Sequence, residues 1–364
     1  MKNSIIEIGE KFNVSGELVE IETFESGHIN DTFVLKYMNS PQIRSCTLQR
    51  INHEIFKNPP AVMENISRVT EHLHSKQGND SRSALTVIKT RDGKDFHLDA
   101  KGNYWRMYVF IENARSYEFI NNPDHVYQAA HSYGSFQKHL ADLPGNRLNE
   151  TIPDFHNTPK RLEALERAIE SDVHNRAASA MPEIDFALSH KKMASTLIEL
   201  CKHGEIPERI THNDTKLNNV LIDDKTGKGI CVIDLDTVMP GLSLYDFGDL
   251  VRTATCPAAE DETDLSKIKM DMTLFEALCK GYLDALRGTL TAREIEYLPF
   301  SGKLITLEIG VRFLTDYLMG DVYFKTRRYP HNLERSRTQF TLVKSIESQE
   351  DAMNSLVKKL ASDS

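Results

Sequence analysis

The first third of the chain carries short segments in which apolar and polar residues alternate, as they do in β-strands that cover a core. These segments are residues 18–24, 32–37, 46–52, 85–90 and 96–98. A turn at residues 91–94 separates the last two, so we predict that they pair with each other as a hairpin. Residues 104–111 are nearly all apolar and predict one further strand.

In the remaining segments, apolar residues recur at the helical spacing of three and four residues. The predicted helices are residues 4–15, 61–73, 124–140, 160–171, 184–201, 271–287, 291–297, 305–319 and 336–360. Strands first and helices later predict an α+β protein of two lobes, with an active site in the cleft between them. We place a small β-rich lobe at residues 1–112 and a large helical lobe at residues 113–364.

Two short apolar runs in the middle of the chain predict a second hairpin. Residues 220–222 and 230–233 flank seven residues that are rich in turn formers. Asn219 comes directly before the first run, and Asp234 comes directly after the second. Folding the hairpin would therefore bring these two side chains together, with Asp214 nearby in the loop that leads to Asn219.

The residues around this hairpin suit phosphoryl transfer. Positions 212–219 read H-x-D-x-x-x-x-N, a spacing that kinases use to orient an attacking hydroxyl and hold a metal. We predict that Asp214 is the catalytic base and that Lys216 meets the γ-phosphate as a point charge. Asn219 and Asp234 supply the oxygen ligands that Mg²⁺ prefers.

Two further acidic residues lie close to this motif. Asp246 opens a D-F-G sequence, but it lies too far along the chain to close the hairpin, and we predict that it begins a helix. Asp236 lies two residues after Asp234 and could point to the same side of an extended segment. Metal support through water and a plain salt bridge both remain open for Asp236.

The nucleotide-binding side is predicted from the small lobe. The polar tip at residues 25–31, which contains Gly27 and His28, would lie over the phosphates. The third strand offers Gln49 and Arg50 where kinases carry a lysine, and adjacent residues of a strand face opposite ways, so either could meet the nucleotide. Val109 and Ile111, near the end of the last strand, would contact adenine.

Composition narrows the functional class. The formal net charge of −9 argues against a general nucleic-acid-binding surface. No apolar run is long enough to span a bilayer, and the first residues lack the apolar region of a secretory signal. The five cysteines form no C-x-x-C pair. We expect a cytoplasmic protein that acts as a monomer.

Residues 211–219 and 233–236 resemble the aminoglycoside phosphotransferase superfamily, whose fold is protein-kinase-like, although position 213 is asparagine where that superfamily usually has glycine. Within it the chain is similar to the group of sugar kinases that phosphorylate N-acetylhexosamines at C1. The stretches that carry this similarity include residues 27–30, 48–52, 182–186, 245–249, 298–302, 312–317 and 320–324.

That resemblance implies ATP as phosphoryl donor, Mg²⁺, and N-acetylglucosamine or N-acetylgalactosamine as acceptor, with Asp214 as the base. It also implies that Arg312 and Tyr323 contact the sugar, whereas spacing alone favours a structural ion pair between Arg312 and Asp316. One alternative is a related kinase of choline, homoserine, an aminoglycoside or another sugar. Another is a non-catalytic nucleotide-binding module, since the strand lysine is absent.

Overall fold

The computed structural model describes residues 2–24, 29–77, 82–117 and 122–362. Its strands are β1 (Glu17–Phe24), β2 (Asp31–Asn39), β3 (Gln42–Ile51), β4 (His97–Leu98), β5 (Tyr104–Val109), β6 (Ala114–Arg115), β7 (Arg209–Thr211), β8 (Val220–Asp223), β9 (Gly229–Val232) and β10 (Met239–Gly241). Its helices are α1 (Lys2–Gly9), α2 (Pro59–Gln77), α3 (Pro123–Leu140), α4 (Thr158–Ser171), α5 (Met181–Ser189), α6 (Thr196–Lys202), α7 (Ser243–Ala254), α8 (Met272–Ala285), α9 (Ala292–Leu318), α10 (His331–Glu347) and α11 (Glu350–Ser362).

The small lobe is an antiparallel sheet with the strand order β1-β2-β3-β5-β4. Because side chains alternate along each strand, one face of the sheet is apolar, and α1 covers it. The buried side chains of this cluster include Ile5, Phe12, Leu48 and Trp105. The opposite face points toward α2 and the large lobe, so polar residues on that face border the cleft between the lobes.

The predicted hairpin of residues 85–90 with 96–98 is wrong. β4 pairs with β5, through His97 and Trp105. Residues 86–88 run beside the far end of β5 instead, where the backbone N–H of Val109 donates to the carbonyl of Thr86 at 3.0 Å. The free edge of β5 thus provides hydrogen-bond partners for both segments, which the local alternation could not reveal.

The large lobe is built from helices packed around α9. Glycines allow the close approach of α7 and α9: a Cβ at Gly302 would lie 2.7 Å from the Cγ1 atom of Val251, and one at Gly248 would overlap the carbonyl of Ser301. The residues predicted as two helices, 291–297 and 305–319, form the single helix α9, which continues through Pro299. Its capping box at Thr291 and Glu294 fixes the start of the helix.

In two other places, a segment that was predicted as one helix forms two. The segment predicted as one helix at 184–201 is divided into α5 and α6 by a 3₁₀ turn at Lys191–Met193. The C-terminal segment predicted at 336–360 is divided into α10 and α11 at residues 348–349. Apolar spacing continues across both breaks, so the period alone did not mark them.

The two lobes are joined after β5. Residues 110–113 lead into β6, which pairs with β8 of the catalytic hairpin in the three-stranded sheet β6-β8-β9. Asn113 adopts a left-handed backbone conformation with φ 56° at the bend. Among the described helices, none combines the length and apolar character that a membrane crossing requires.

Candidate active site

The predicted hairpin is formed by β8 and β9, with Val220 opposite Val232. Directly beyond this pair, the backbone N–H of Ile233 donates to the carbonyl of Asn219 at 2.9 Å. Asn219 and Asp234 therefore lie at the same end of the hairpin. Asp234 has a left-handed backbone, with φ 59° and ψ 55°, and its side chain is exposed to the cleft.

The loop before the hairpin holds Asp214 beside Lys216. The Nζ atom of Lys216 lies 3.0 Å from Oδ1 and 3.1 Å from Oδ2 of Asp214. Burial opposes both charges, but their mutual attraction outweighs it, so the pKa of Asp214 is lowered and the pKa of Lys216 is raised. Asp214 is thus an anion at neutral pH, as a group that orients a hydroxyl must be.

Asn219 and Asp234 leave oxygen atoms available for a cation. The Nδ2 group of Asn219 donates to the carbonyl of Asp214 at 3.0 Å, so the side chain is oriented by its nitrogen and its Oδ1 keeps no donor among the described residues. Likewise, no described side chain or N–H donates to the Asp234 carboxylate. Partial loss of water around the carboxylate inside the cleft, together with the charges of Asp236 and Asp214, raises the pKa of Asp234 to about 6. A hard cation such as Mg²⁺ fits this donor set, with phosphate oxygens and water completing the shell.

Asp246 lies below the catalytic loop and fixes its backbone. It is in the first turn of α7, as predicted, but its carboxylate also accepts the N–H of His212 at 3.0 Å and of Asn213 at 2.7 Å. The Nε2 group of Gln137 donates to the same carboxylate. This role was missed, because the partners lie on segments far apart in the sequence.

The cleft face of the sheet carries Gln49 and a buried arginine that the sequence analysis missed. Arg106 on β5 forms an ion pair with Asp236, and its Nε donates to Oε1 of Gln49 at 3.0 Å. Arg50 points the other way and pairs with Asp31 at the surface. Asp236 therefore forms the salt bridge that was one of its two predicted alternatives, and Gln49, rather than Arg50, faces the cleft.

The two residues predicted to contact adenine lie in different surroundings. Ile111 is buried in the segment that joins the lobes. Val109 packs against the apolar cluster under α1, on the sheet face away from the cleft, so its side chain is not placed to contact adenine. Gly27 and His28 lie outside the described residues.

The acceptor side of the site is built around Arg312 of α9. Its guanidinium lies over three aromatic rings, with its Cζ atom 5.1 Å from the ring centre of Phe155, 5.8 Å from that of Tyr323 and 5.7 Å from that of Phe324. Among the described residues, no acceptor forms a hydrogen bond or ion pair with it. Arg312 and Tyr323, both of which are predicted to contact the sugar, therefore lie side by side.

Asp316 does not pair with Arg312, so that expected ion pair is wrong. Its carboxylate accepts the backbone N–H groups of Val322, Tyr323 and Phe324 at 2.8–2.9 Å, and the Nδ2 group of Asn332 at 2.8 Å. These four donors occupy both oxygens of the Asp316 carboxylate, so none remains for the arginine. Asp316 thereby holds the segment that carries Tyr323.

A small antiparallel sheet above a helical lobe, with Asp214, Asn219 and Asp234 at the cleft, defines the class of two-lobe, kinase-like proteins. The family model described as "Phosphotransferase enzyme family" matches residues 20–288. The chain belongs to that family and is a phosphotransferase.

Solved structures share the fold along nearly the whole chain. A microcompartment-associated aminopropanol kinase is 15% identical with a TM-score of 0.60, covering 97% of this chain and 99% of its own. An aminoglycoside phosphotransferase from Alicyclobacillus acidocaldarius is 12% identical with a TM-score of 0.60, covering 97% and 96%. A choline kinase from Cryptosporidium parvum is 16% identical with a TM-score of 0.56, covering 99% of each chain.

Proposed function

We propose that the chain transfers the γ-phosphoryl group of ATP to the C1 hydroxyl of an N-acetylhexosamine, giving the α-1-phosphate. The observation that carries this proposal is the unpaired Arg312 guanidinium among aromatic rings. Aromatic faces suit the C–H surface of a sugar ring, and arginine donors suit hydroxyl and acyl oxygens. The sequence resemblance points to the same residues.

The charges around Arg312 favour a neutral acceptor over a cationic one. The carboxylates one turn away from Arg312 on either side of α9 already have partners. Glu308 pairs with His156, and Asp316 accepts hydrogen bonds from backbone N–H groups. Arg161 lies close enough that the positive charge of Arg312 contributes to lowering its pKa, after burial. An ammonium group would meet two guanidiniums there and, among the residues that the structure describes, no carboxylate without a partner, so choline or an aminoglycoside fits this region poorly.

Each of the predicted catalytic and metal-binding residues would have its own role in phosphoryl transfer. Asp214 would orient the C1 hydroxyl and take its proton, and Lys216 would neutralise charge on the transferred group. Asn219 and Asp234 would hold Mg²⁺, which when bound neutralises phosphate charge and aligns the transferred group. Gln49 and Arg106 face the nucleotide side, where Arg106 is already committed to Asp236.

An acceptor panel with an ADP-release assay tests the proposal. N-acetylglucosamine and N-acetylgalactosamine should be phosphorylated, and ³¹P NMR should show the α-anomeric phosphate. Glucosamine is the matched comparison, because it differs by loss of the acyl group and carries an ammonium ion; it should be a poor acceptor. Strong turnover of choline or an aminoglycoside, with none of either N-acetylhexosamine, would overturn the proposal.

The Asp214→Asn variant tests catalysis itself. Loss of a general base should lower turnover by about 10²–10⁴-fold, while binding of the Mg-nucleotide, measured by calorimetry, stays close to that of the wild type. Unchanged turnover would reject Asp214 as the base. Absence of turnover in the wild type, with nucleotide still bound, would instead favour a binding module.

A further inference from the structure

A buried histidine connects the helix that carries Arg312 to the catalytic loop. The Nδ1 atom of His156 lies 2.9 Å from Oε1 of Glu308, and its Nε2 atom lies 2.9 Å from the backbone carbonyl of Asn213. Glu308 is on α9, one turn before Arg312, and Asn213 directly precedes Asp214. The side chains of His156 and Glu308 are 3% and 0% exposed, so water does not replace these bonds.

Both partners of the ring are hydrogen-bond acceptors. A carboxylate and a carbonyl can each accept a proton but not donate one, so the two bonds require an imidazolium with a proton on both nitrogens. Burial opposes that charge, but Glu308 outweighs it, and the pKa of His156 is raised above its usual value. The other oxygen of Glu308 accepts the hydroxyl of Thr158 at 2.6 Å, which fixes the carboxylate.

Among the described residues, the other charged or titratable groups that face the pair lie on three helices, α7, α9 and α4. On α7, the ring of Tyr245 lies 5.0 Å from that of His156, and Asp249 adds a negative charge that favours the imidazolium. Arg312 on α9 favours the anionic form of Glu308, which strengthens the pair. Arg161 on α4 carries a further positive charge near Glu308.

Each polar group of Asn213 has a partner, and the partner of its carbonyl is His156. The N–H of Asn213 is held by Asp246 at 2.7 Å, and its side chain donates to the carbonyl of Thr237 at 2.9 Å. His156 supplies the bond to the carbonyl, and His212 accepts the N–H of Asp214 at 3.3 Å. The two histidines therefore define the peptide plane between Asn213 and Asp214.

We propose that His156, held as an imidazolium by Glu308, is a positioning residue that fixes the Asn213–Asp214 peptide plane and couples the Arg312 helix to the Asp214 carboxylate. The coupling to the acceptor rests on the function proposed above. The positioning of Asp214 does not rest on that function, because the same carboxylate would orient a water molecule when ATP is hydrolysed without an acceptor.

Glu308→Gln is the sharpest variant, because it keeps the geometry and removes the charge. The glutamine amide can donate to Nδ1 of a neutral imidazole while its oxygen still accepts from Thr158, so Nε2–H continues to hold Asn213. We expect the wild type to lose turnover as the pH rises through the raised pKa of His156. In Glu308→Gln most of the turnover should remain at pH 7, and this alkaline loss should disappear.

His156→Phe removes both bonds and should lower kcat roughly 10- to 100-fold, with little change in the KM for ATP. His190→Phe is the matched control, because His190 also bridges a glutamate and a backbone carbonyl, at 3.1 Å from Oε1 of Glu347 and 2.8 Å from the carbonyl of Phe186. This pair lies away from the catalytic loop. The control should lose stability without loss of kcat.

Two readouts separate this inference from the proposed function. Hydrolysis of Mg-ATP alone should fall in His156→Phe but not in His190→Phe, whatever the acceptor is. If the wild type transfers to no N-acetylhexosamine, the proposed function fails, and the hydrolysis assay still decides the role of His156. Unchanged hydrolysis in His156→Phe, or an alkaline loss in Glu308→Gln equal to that of the wild type, would overturn the inference.

Discussion

The Asp246 carboxylate accepts the backbone N–H of Asn213 at 2.7 Å, although the two residues are 33 positions apart in the chain. A second N–H, that of His212, bonds to the same carboxylate. The main chain of the catalytic loop is thus tied to the start of α7, and Asp214 projects from a backbone that the large lobe holds in place.

Replacing Asp246 with asparagine should therefore weaken both stability and catalysis. The amide offers one acceptor where two N–H groups converge, and an unmet buried group costs about 1–3 kcal/mol. We expect a lower free energy of unfolding in urea and a lower kcat. Asp271→Asn is the control, since Asp271 accepts the N–H groups of Thr273 and Leu274 at the start of α8; equal effects of both substitutions on kcat would contradict this role.

Arg106→Met should destabilise the protein strongly. Arg106 and Asp236 are 1% and 3% exposed, and loss of one member of a buried pair typically costs about 3–5 kcal/mol because the other charge stays buried. Arg115→Met is the comparison, because Arg115 pairs with Asp224 at the surface. Thermal unfolding should show a large fall in Tm for the first variant and almost none for the second. Similar Tm values for both variants would contradict the prediction, because they would mean that water solvates the unpaired Asp236 carboxylate.

Arg312→Met should raise the KM for the acceptor about 10- to 100-fold, the range expected when charge-assisted hydrogen bonds are lost. The KM for ATP should not change, because Arg312 lies on the acceptor side. Arg293→Met removes a surface arginine that lies over the ring of Tyr297, and it should leave both constants unchanged. A rise in the KM for ATP with no change for the acceptor would reject the acceptor-site assignment.

Asp234→Asn should abolish transfer yet stabilise the metal-free protein at neutral pH. The pKa of Asp234 is raised from 3.8 to about 6, so the folded state holds its proton more tightly than the unfolded state. Stability therefore falls as the pH rises between these values, and the asparagine removes this loss. The Tm of both proteins, measured with EDTA at pH 4 and pH 7, checks the direction of this pH dependence. A variant that is less stable than the wild type at pH 7 would contradict the prediction.

Local sequence patterns predicted the parts of the site that lie close together in the chain. The hairpin of residues 220–232 follows from two apolar runs and the turn formers between them, and its register places Asn219 beside Asp234. The alternation of apolar residues likewise predicted the strand that carries Gln49, and the apolar run at 104–111 predicted β5, which ends at Val109, shortly before Ile111. Each of these features depends on residues within about one supersecondary unit.

Contacts between residues far apart in the chain could not be predicted from local patterns. Arg106 is one charge in a nearly apolar strand, and its partner Asp236 is 130 residues away. Helix breaks were also missed or misplaced, because Pro299 is accommodated within α9, whereas α5 and α6 separate without a proline or glycine between them. The partner that decides each of these features is contributed by tertiary structure.

The carboxylate of Asp316 holds residues 322–324 through their main chain alone. Any amino acid except proline provides the same N–H groups, so side chains at positions 322 and 323 can be exchanged without loss of this anchor. Selection can therefore vary the residues that meet the acceptor while the loop keeps its shape. This separation of anchoring from recognition gives one scaffold a short evolutionary route to new acceptors.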